Sequence, residues 1–240
     1  MIRPTEQAVQ AAVRAALTED VGGGDVTTLA CIPPEARSRA MLVCRQRAVL
    51  CGVAFAEAAF REGSPNLEIQ VGSADGAALE PGAVVMTVQG ASRAILTAER
   101  VALNFVQRLS GVATLTARYV AAVSGTRARI LDTRKTTPGL RVFEKYAVRC
   151  GGGENHRMGL HDRVLIKDNH LAALAAEAPN PIAAAVIRSR RLWPDLLVEV
   201  EADSLQQVRQ AADAGADCIL LDNMAPAALR EAVALVAGRA

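Results

Sequence analysis

The chain has 240 residues, 51% of them hydrophobic, so it can bury a core. Its formal charge is only +2, so it has no strong overall electrostatic field to attract a polyanion. Aromatic residues make up 3% of the sequence, which leaves few rings for base stacking and argues against a nucleic-acid partner. No apolar run approaches the roughly 18 residues of a membrane span and charges interrupt the N-terminal segment, so we expect no membrane segment, no signal peptide and a cytoplasmic location.

The N-terminal part, residues 1–110, is predicted to be a small α+β domain that ends in a bridging helix. Apolar spacing predicts a first helix from Thr5 to Leu17, stopped by the glycines of EDVGGGDVTT. Short β-type runs follow, RAMLVCRQRAVLCG, NLEIQVG and GAVVMTVQG, with a helix from Ala54 to Arg61. The segment SRAILTAERVALNFVQRLSGVATLTARYVAAVSG is predicted to be helical, with Ser110 and Gly111 as a candidate interruption.

The C-terminal part, residues 111–240, repeats the order strand, polar tip, helix. The four predicted strands are ARIL, RVLI, LLVEVE and CILLD. Helices are predicted around Arg141 to Arg149, in the Ala-rich segment that ends near RSRRLW, from Ser204 to Ala214 and from Pro226 to about Ala237. Four βα units with buried-type strands predict a parallel sheet wrapped by helices, which is the α/β class.

Each predicted strand of this part ends in charged or amide side chains. Any single tip is explained by a solvated loop, but functional groups of parallel α/β folds collect at the carboxyl ends of strands, and four charged tips in succession favour a site there. The tips are Asp132/Arg134/Lys135, Lys167/Asp168/His170, Glu199/Glu201 and Asp222/Asn223.

The signs of these charges are sorted along the chain. Residues 127–170 hold ten Lys or Arg, five Asp or Glu and all three histidines, whereas the later tips carry only acids. Cations grip an anionic ligand through charge-assisted hydrogen bonds, and carboxylates suit a hydrated Mg²⁺. His156 and His161 do not have zinc-type spacing, so no structural metal is predicted. The pattern therefore predicts a ligand with an anionic end and a metal-bound end.

Three other features are less specific. The triple glycine of CGGGENHRMGLHD lets the backbone approach a ligand or simply turn after a helix. Only three of the 27 basic residues are lysine, which indicates either a specific need for an ammonium or chance; they are Lys135, Lys145 and Lys167. The five cysteines form no C-x-x-C pair and are predicted to be small buried residues in a reducing compartment; they are Cys31, Cys44, Cys51, Cys150 and Cys218.

Long motifs resemble one known family. LTEDVGGGDVTT, TAERVALNFVQRLSGVAT, ILDTRKTTPGLR, KYAVRCGGGENHRMGLHDRVLIKDNH, VEVE and ILLDNM span nearly the whole chain and look like quinolinate phosphoribosyltransferase, the carboxylating nicotinate-nucleotide pyrophosphorylase. The resemblance implies an N-terminal α+β sandwich domain and an open, TIM-like α/β barrel in a homodimer. It also implies transfer of phosphoribose from phosphoribosyl pyrophosphate to quinolinate, with loss of CO₂ to give nicotinate mononucleotide.

The resemblance assigns roles to individual residues. Quinolinate is expected to be held by Arg134, His156, Arg157 and Lys167, with Arg100 supplied by the partner subunit. The other expected site residues are Lys135 at the phosphates of the second substrate and Glu201 and Asp222 near the ribose and Mg²⁺. The catalytic set is then Lys135, Lys167, Glu201 and Asp222. The family continues through further strands with phosphate-binding loops, so the phosphoribosyl half of the site is expected to be incomplete in this chain.

Two alternatives remain open at this stage. A lysine at a barrel strand end, here Lys167, is also typical of a Schiff-base aldolase, although the surrounding cations exceed what a simple aldol substrate needs. A paralogue similar to the relatives associated with molybdate transport would bind an anion without this turnover. Trapping with borohydride and a keto substrate tests the first, and calorimetric binding without product would indicate the second.

Overall fold

The computed structural model describes residues 3–240. They divide into two compact units, the first ending at His156 and the second running from Arg157 to Ala240. Each unit has its own buried apolar core.

The first unit combines helices with antiparallel strands. Its elements are α1 (Glu6–Val21), α2 (Val26–Cys31), β1 (Arg37–Val43), β2 (Ala48–Val49), α3 (Val53–Gly63), β3 (Glu68–Val71), β4 (Ala78–Leu79), β5 (Val84–Ala91), α4 (Ser92–Ala122) and α5 (Arg141–Cys150). One antiparallel sheet has the order β1-β5-β3, and β2 pairs separately with β4. The α+β character predicted for this region is confirmed, and β4 is an addition to the predicted strands.

Local chemistry explains where α1 begins and ends. The Thr5 hydroxyl caps the helix by accepting a hydrogen bond from Ala8 N at 3.2 Å. Gly22 ends it with φ +52°, a conformation that a residue with a side chain adopts at a cost. The core beneath is aromatic at its centre, where Phe55 stacks on Phe105 and meets Phe143 edge-on, both at centroid distances of 4.8 Å.

The predicted interruption of the bridging helix is wrong, because α4 continues through Ser110 and Gly111. The Ser110 hydroxyl accepts a hydrogen bond from Cys51 N at 2.9 Å and donates to the Cys51 carbonyl at 3.1 Å. The hydroxyl therefore holds a neighbouring loop instead of competing with its own helix.

The first predicted strand of the C-terminal part, ARIL, is also wrong as a strand. Only Leu131 forms a bridge, a parallel one with Glu154. Leu131 is 51% exposed, so the segment lacks the burial on both faces that a central parallel strand requires.

The second unit has the repeating pattern that the sequence predicts. Its elements are β6 (Val164–Ile166), α6 (Asp168–Ala173), α7 (Pro181–Leu192), β7 (Val198–Ala202), α8 (Leu205–Asp213), β8 (Cys218–Leu221) and α9 (Pro226–Val236). The strands form a parallel sheet in the order β6-β7-β8. Val198 and Val200 are fully buried in its centre, and Ser204 caps α8 while Pro226 opens α9. The three later predicted strands and the helices that follow them are confirmed.

The cysteine prediction holds for one residue. Cys51 is buried, Cys31 is exposed and the other three are partly exposed; all five are free thiols. Among residues 3–240, no helix has the length and apolar character of a membrane span.

Candidate active site

The segment DTRKT begins beside the short bridge of Leu131. Glu154 N donates to the Ile130 carbonyl at 2.8 Å, and Asp132 N donates to the Glu154 carbonyl at 3.1 Å. These two hydrogen bonds fix the backbone at Asp132, and so they fix the point from which its carboxylate extends.

The Asp132 carboxylate is the centre of a buried network. It accepts hydrogen bonds from Lys145 Nζ, from Asn155 Nδ2 at 2.6 Å and from His156 N at 2.9 Å. Lys145 has a fully buried side chain, and the side chain of Asp132 is 7% exposed. Lys145 Nζ also donates to the His156 carbonyl at 3.0 Å. The ion pair therefore holds the backbone of His156 from both sides, and both charges are satisfied within the protein.

The two cations that follow Asp132 are placed differently. Arg134 Nε is buried and has no hydrogen-bond partner within residues 3–240. Leaving a buried donor unsatisfied costs about 1–3 kcal/mol, so this atom favours an acceptor from outside the chain. Lys135 is exposed, and its backbone N–H donates to Thr133 Oγ1 at 3.0 Å. The loop thus presents one guanidinium with a buried Nε and one exposed ammonium.

The triple glycine packs against α4. A Cβ at Gly151 would overlap the Ala113 carbonyl, and one at Gly153 would lie 2.8 Å from the side chains of Thr116 and Val148. The sequence allowed a close approach to a ligand or a turn after a helix. In the structure the glycines approach neighbouring helices of the same unit, and this packing sets the position of the residues that follow.

In the second unit, two ion pairs join the flanks of β6 to β7. Arg163 Nη1 lies 3.1 Å from Glu199 Oε2, and Lys167 Nζ lies 2.7 Å from Glu201 Oε2. Glu199 and Glu201 project from the same face of β7 because they are two residues apart. Glu199 is 7% exposed and Lys167 42%. The Arg163–Glu199 pair is therefore structural, and the Lys167–Glu201 pair opens towards solvent at the carboxyl end of the sheet.

The third charged tip of this sheet edge is Asp222. It follows β8, its N–H donates to the Ala202 carbonyl at 2.9 Å, and Oδ2 accepts from Asn223 Nδ2 at 3.0 Å. Because β7 and β8 are neighbours, the carboxylates of Glu201 and Asp222 belong to the same edge. An ammonium has three donors, so Lys167 keeps donors beyond the one it gives to Glu201.

The histidine of the Lys167 tip serves the backbone. His170 Nδ1 accepts from Lys167 N at 2.9 Å and so caps α6. The ion pair of Lys167 with Glu201 and its partial exposure do not match the desolvated amine that the aldolase alternative requires.

The loop before β6 is held by a second local network. Asp162 accepts hydrogen bonds from Met158 N at 2.6 Å and from Gly159 N at 2.8 Å. Burial raises the pKa of Asp162, but these two hydrogen bonds outweigh it and bring the pKa below its ordinary value. Arg157 Nη1 donates to the Arg163 carbonyl at 3.3 Å, which directs its side chain along this loop.

The predicted site residues are distributed over both units. The first unit contains Arg100, Arg134, Lys135 and His156, and the second contains Arg157, Lys167, Glu201 and Asp222. The structure brings Lys167 and Glu201 together at the sheet edge that carries Asp222. Arg100 is exposed on α4 and has no hydrogen-bond or ion-pair partner in the described part of the chain.

Two pairs were missed by sequence reasoning, Lys145 with Asp132 and Arg163 with Glu199. Asp132 and Glu199 were both grouped with the exposed tips, yet each is buried against a cation. One signal was present for the first pair, because Lys145 is one of only three lysines among 27 basic residues.

Comparison with known proteins places the chain in a family. The family models described as quinolinate phosphoribosyl transferase, N-terminal domain and C-terminal domain match residues 25–110 and 112–240. The chain belongs to the quinolinate phosphoribosyltransferase family.

Named relatives agree with this family. The probable nicotinate-nucleotide pyrophosphorylase [carboxylating] of Synechocystis is 42% identical over 92% of this chain and 73% of its own length. The enzyme of the same name from Mycobacterium leprae is 45% identical over 88% of this chain and 74% of its own length.

Solved structures of the quinolinate phosphoribosyltransferase family share the fold. NadC from Streptococcus pyogenes has a TM-score of 0.93 at 40% identity, covering 100% of this chain and 83% of that one. The nicotinate-nucleotide pyrophosphorylase from Francisella tularensis has a TM-score of 0.92 at 38% identity, covering 99% and 82%. The predicted α/β class is confirmed.

The family models and the compact units divide the chain at different places. The two models meet at residues 110–112, next to the domain boundary predicted after residue 110, whereas the units divide after His156. The difference arises because α5 and the triple glycine pack on α4 within the first unit.

Proposed function

We propose that this protein is a decarboxylating quinolinate phosphoribosyltransferase, a pentosyltransferase of NAD biosynthesis. It transfers phosphoribose from phosphoribosyl pyrophosphate to the ring nitrogen of quinolinate and releases pyrophosphate and CO₂, leaving nicotinate mononucleotide. Membership in the family, with about 40% identity to proteins named for this activity, supports the proposal. We place the enzyme in the cytoplasm with these two small molecules as its partners.

The observation that carries the proposal is the buried, unpartnered Nε of Arg134. A planar guanidinium pairs with a carboxylate through two parallel hydrogen bonds, and quinolinate has two carboxylates. Satisfying a buried donor by substrate contributes about 1.5–3 kcal/mol per charged hydrogen bond. His156 is held by the Asp132 network, so a substrate contact from it costs little reorganisation.

The sheet edge of the second unit supplies charges of both signs. Lys167 can donate to a carboxylate while it stays paired with Glu201, and Arg157 is a second cation of this unit. We assign Glu201 and Asp222 to the ribose, where negative charge favours the oxocarbenium-like centre that develops as pyrophosphate departs. Lys135, exposed on its loop, is assigned to the phosphates. No covalent nucleophile from the protein is needed, because the ring nitrogen of quinolinate itself attacks the ribose. After transfer the pyridinium ring stabilises the electron pair left by the broken C–CO₂ bond, and that ring carbon then takes a proton.

We propose Mg²⁺ as the cofactor. The oxygen donors of Glu201 and Asp222 at one sheet edge fit a hard cation that keeps several waters and binds substrate phosphates. When bound, Mg²⁺ would neutralise charge on the departing pyrophosphate. Because Glu201 is already ion-paired with Lys167, we expect Asp222 to bind the metal more readily than Glu201 does.

We further propose a homodimer in which Arg100 enters the site of the partner subunit. Its exposure on α4 and its lack of partners in the described part of the chain support this role. Mixing Arg100→Ala with Arg134→Ala tests it, at a quinolinate concentration so low that each variant alone has little activity. Exchange of subunits should restore up to about one quarter of the activity, since half of the dimers would then contain one intact site. A mixture that stays inactive after confirmed subunit exchange contradicts the shared site.

The substrate assignments are tested by a reciprocal pair of variants. Arg134→Ala should raise the KM for quinolinate by about 10- to 150-fold, the equivalent of one charged hydrogen bond, with a small effect on phosphoribosyl pyrophosphate. Lys135→Ala should do the reverse. Equal losses for both substrates in both variants would refute the assignment of the two cations.

A further inference from the structure

A cluster of soft and hard donors lies in the first unit, apart from every residue assigned to the reaction. One oxygen of Asp75 and the sulfurs of Cys51 and Cys150 lie within 4.8 Å of one another. Within residues 3–240, no other set of three His, Cys, Asp or Glu side chains meets that distance. The three residues lie in the loop after β2, in the loop between β3 and β4, and at the last position of α5.

Each donor is positioned by the surrounding structure. Asp75 Oδ1 accepts from Val53 N, and Asp75 Oδ2 accepts from Tyr146 Oη, both at 3.0 Å. Cys51 is fully buried and its backbone is clamped by the Ser110 hydroxyl of α4. In metal sites, hydrogen bonds from surrounding groups orient the carboxylate ligands in this way.

We propose that Cys51, Asp75 and Cys150 bind one Zn²⁺ ion, with water as the fourth ligand. Two thiolates and a carboxylate are a borderline-soft set that prefers zinc to Mg²⁺ or Ca²⁺. Binding forms two Zn–S bonds and one Zn–O bond to the protein and releases the protons of the two thiols to solvent. Ligand atoms of a tetrahedral zinc site are closer together than 4.8 Å, so occupancy requires a small contraction of the cluster.

Such a site has a consequence for the unit that contains it. It would tie the end of α5 to the two loops, and α5 carries Lys145, the partner of Asp132. Zinc therefore stabilises the first unit by binding the folded form, in addition to any reaction the protein catalyses.

The test uses the full chain, reduced with a phosphine and freed of metal by a chelator. Titration with Zn²⁺ followed by native mass spectrometry should show one ion per chain, and Cd²⁺ should produce a thiolate charge-transfer band in the ultraviolet. Zn²⁺ should raise the unfolding temperature, and Cys150→Ser should lose most of that rise. Absence of the band and of bound metal, or oxidation of the two thiols to a disulfide in place of metal capture, overturns the proposal.

Variants locate the metal. Cys150→Ser, at a half-exposed position, should weaken zinc binding by about 100-fold or more because one of three protein ligands is lost. Tyr146→Phe should weaken it by about tenfold through the carboxylate that it orients. Cys31→Ser, on an exposed cysteine outside the cluster, is the matched control and should leave binding unchanged. Binding that persists in Cys150→Ser contradicts the assignment, whether or not Cys51→Ser folds.

Discussion

The buried pair of Lys145 and Asp132 gives the sharpest stability prediction. Asp132→Asn keeps the shape of the side chain but removes the negative charge that balances Lys145, which is fully buried, and leaves it only neutral oxygens as acceptors. It also turns an amide donor towards Asn155 Nδ2 or His156 N, which donate to the carboxylate. Removing one partner of a buried pair costs about 3–5 kcal/mol of unfolding free energy, and we expect that range.

The partner variant should cost less. In Lys145→Met the Asp132 carboxylate keeps two of its three donors, so the loss is about one charged hydrogen bond, 1.5–3 kcal/mol. The double variant should be more stable than the sum of the two single changes predicts by at least about 1 kcal/mol, because the partners are in contact. Urea unfolding followed by circular dichroism measures all three free energies, and the amide of His156 should exchange faster in Asp132→Asn.

A surface ion pair provides the matched control. Arg47 and Glu80 are 2.8 Å apart, but their side chains are 82% and 67% exposed, so Arg47→Met should cost less than about 1 kcal/mol. If both buried variants cost no more than this control, or if the double variant is strictly additive, the reasoning about the Asp132 network is refuted.

Two further predictions concern packing and pH. Gly151→Ala should destabilise the protein by about 1–3 kcal/mol, because its Cβ would overlap the Ala113 carbonyl. Gly23→Ala is the control and should change stability by little, because no atom lies within 4 Å of its Cβ. Thermal unfolding of both variants distinguishes the overlap from a general effect of replacing glycine. Hydrogen bonds from Arg190 lower the pKa of Asp217 below its ordinary value of 3.8. The Asp217 carboxylate therefore contributes its full stabilisation above pH 3.8, and this contribution is lost as the pH falls through the lowered pKa of the folded protein. Asp217→Asn should lose less stability on acidification than the unchanged protein does, and an identical acid profile would contradict this prediction.

Patterns that are local in sequence predicted much of the fold. The caps at Thr5 and Ser204 and the proline at 226 mark helix starts because their chemistry acts within one helical turn. The parallel strands β6, β7 and β8 were recognisable because burial on both faces demands apolar runs. The charged tips followed from the same pattern, and Lys167, Glu201 and Asp222 do lie at the carboxyl ends of these strands.

Long-range contacts decided the features that were missed. Nothing within α4 shows that Ser110 holds Cys51, 59 residues away, and so keeps the helix continuous. Lys145 and Asp132 are 13 residues apart, and only the turn between the bridge and α5 brings them together. Cys51, Asp75 and Cys150 show no recognisable spacing in the sequence, because the fold brings together two loops and the end of a helix.

The most direct test of the proposed activity is incubation of the protein with quinolinate, phosphoribosyl pyrophosphate and Mg²⁺, with nicotinate mononucleotide followed by mass spectrometry. The account predicts nicotinate mononucleotide, pyrophosphate and CO₂ in equal amounts, loss of all three when Mg²⁺ is chelated, and strongly reduced amounts of all three in Arg134→Ala at low quinolinate concentration. Binding of quinolinate without any product, under conditions where the protein is folded, would contradict it.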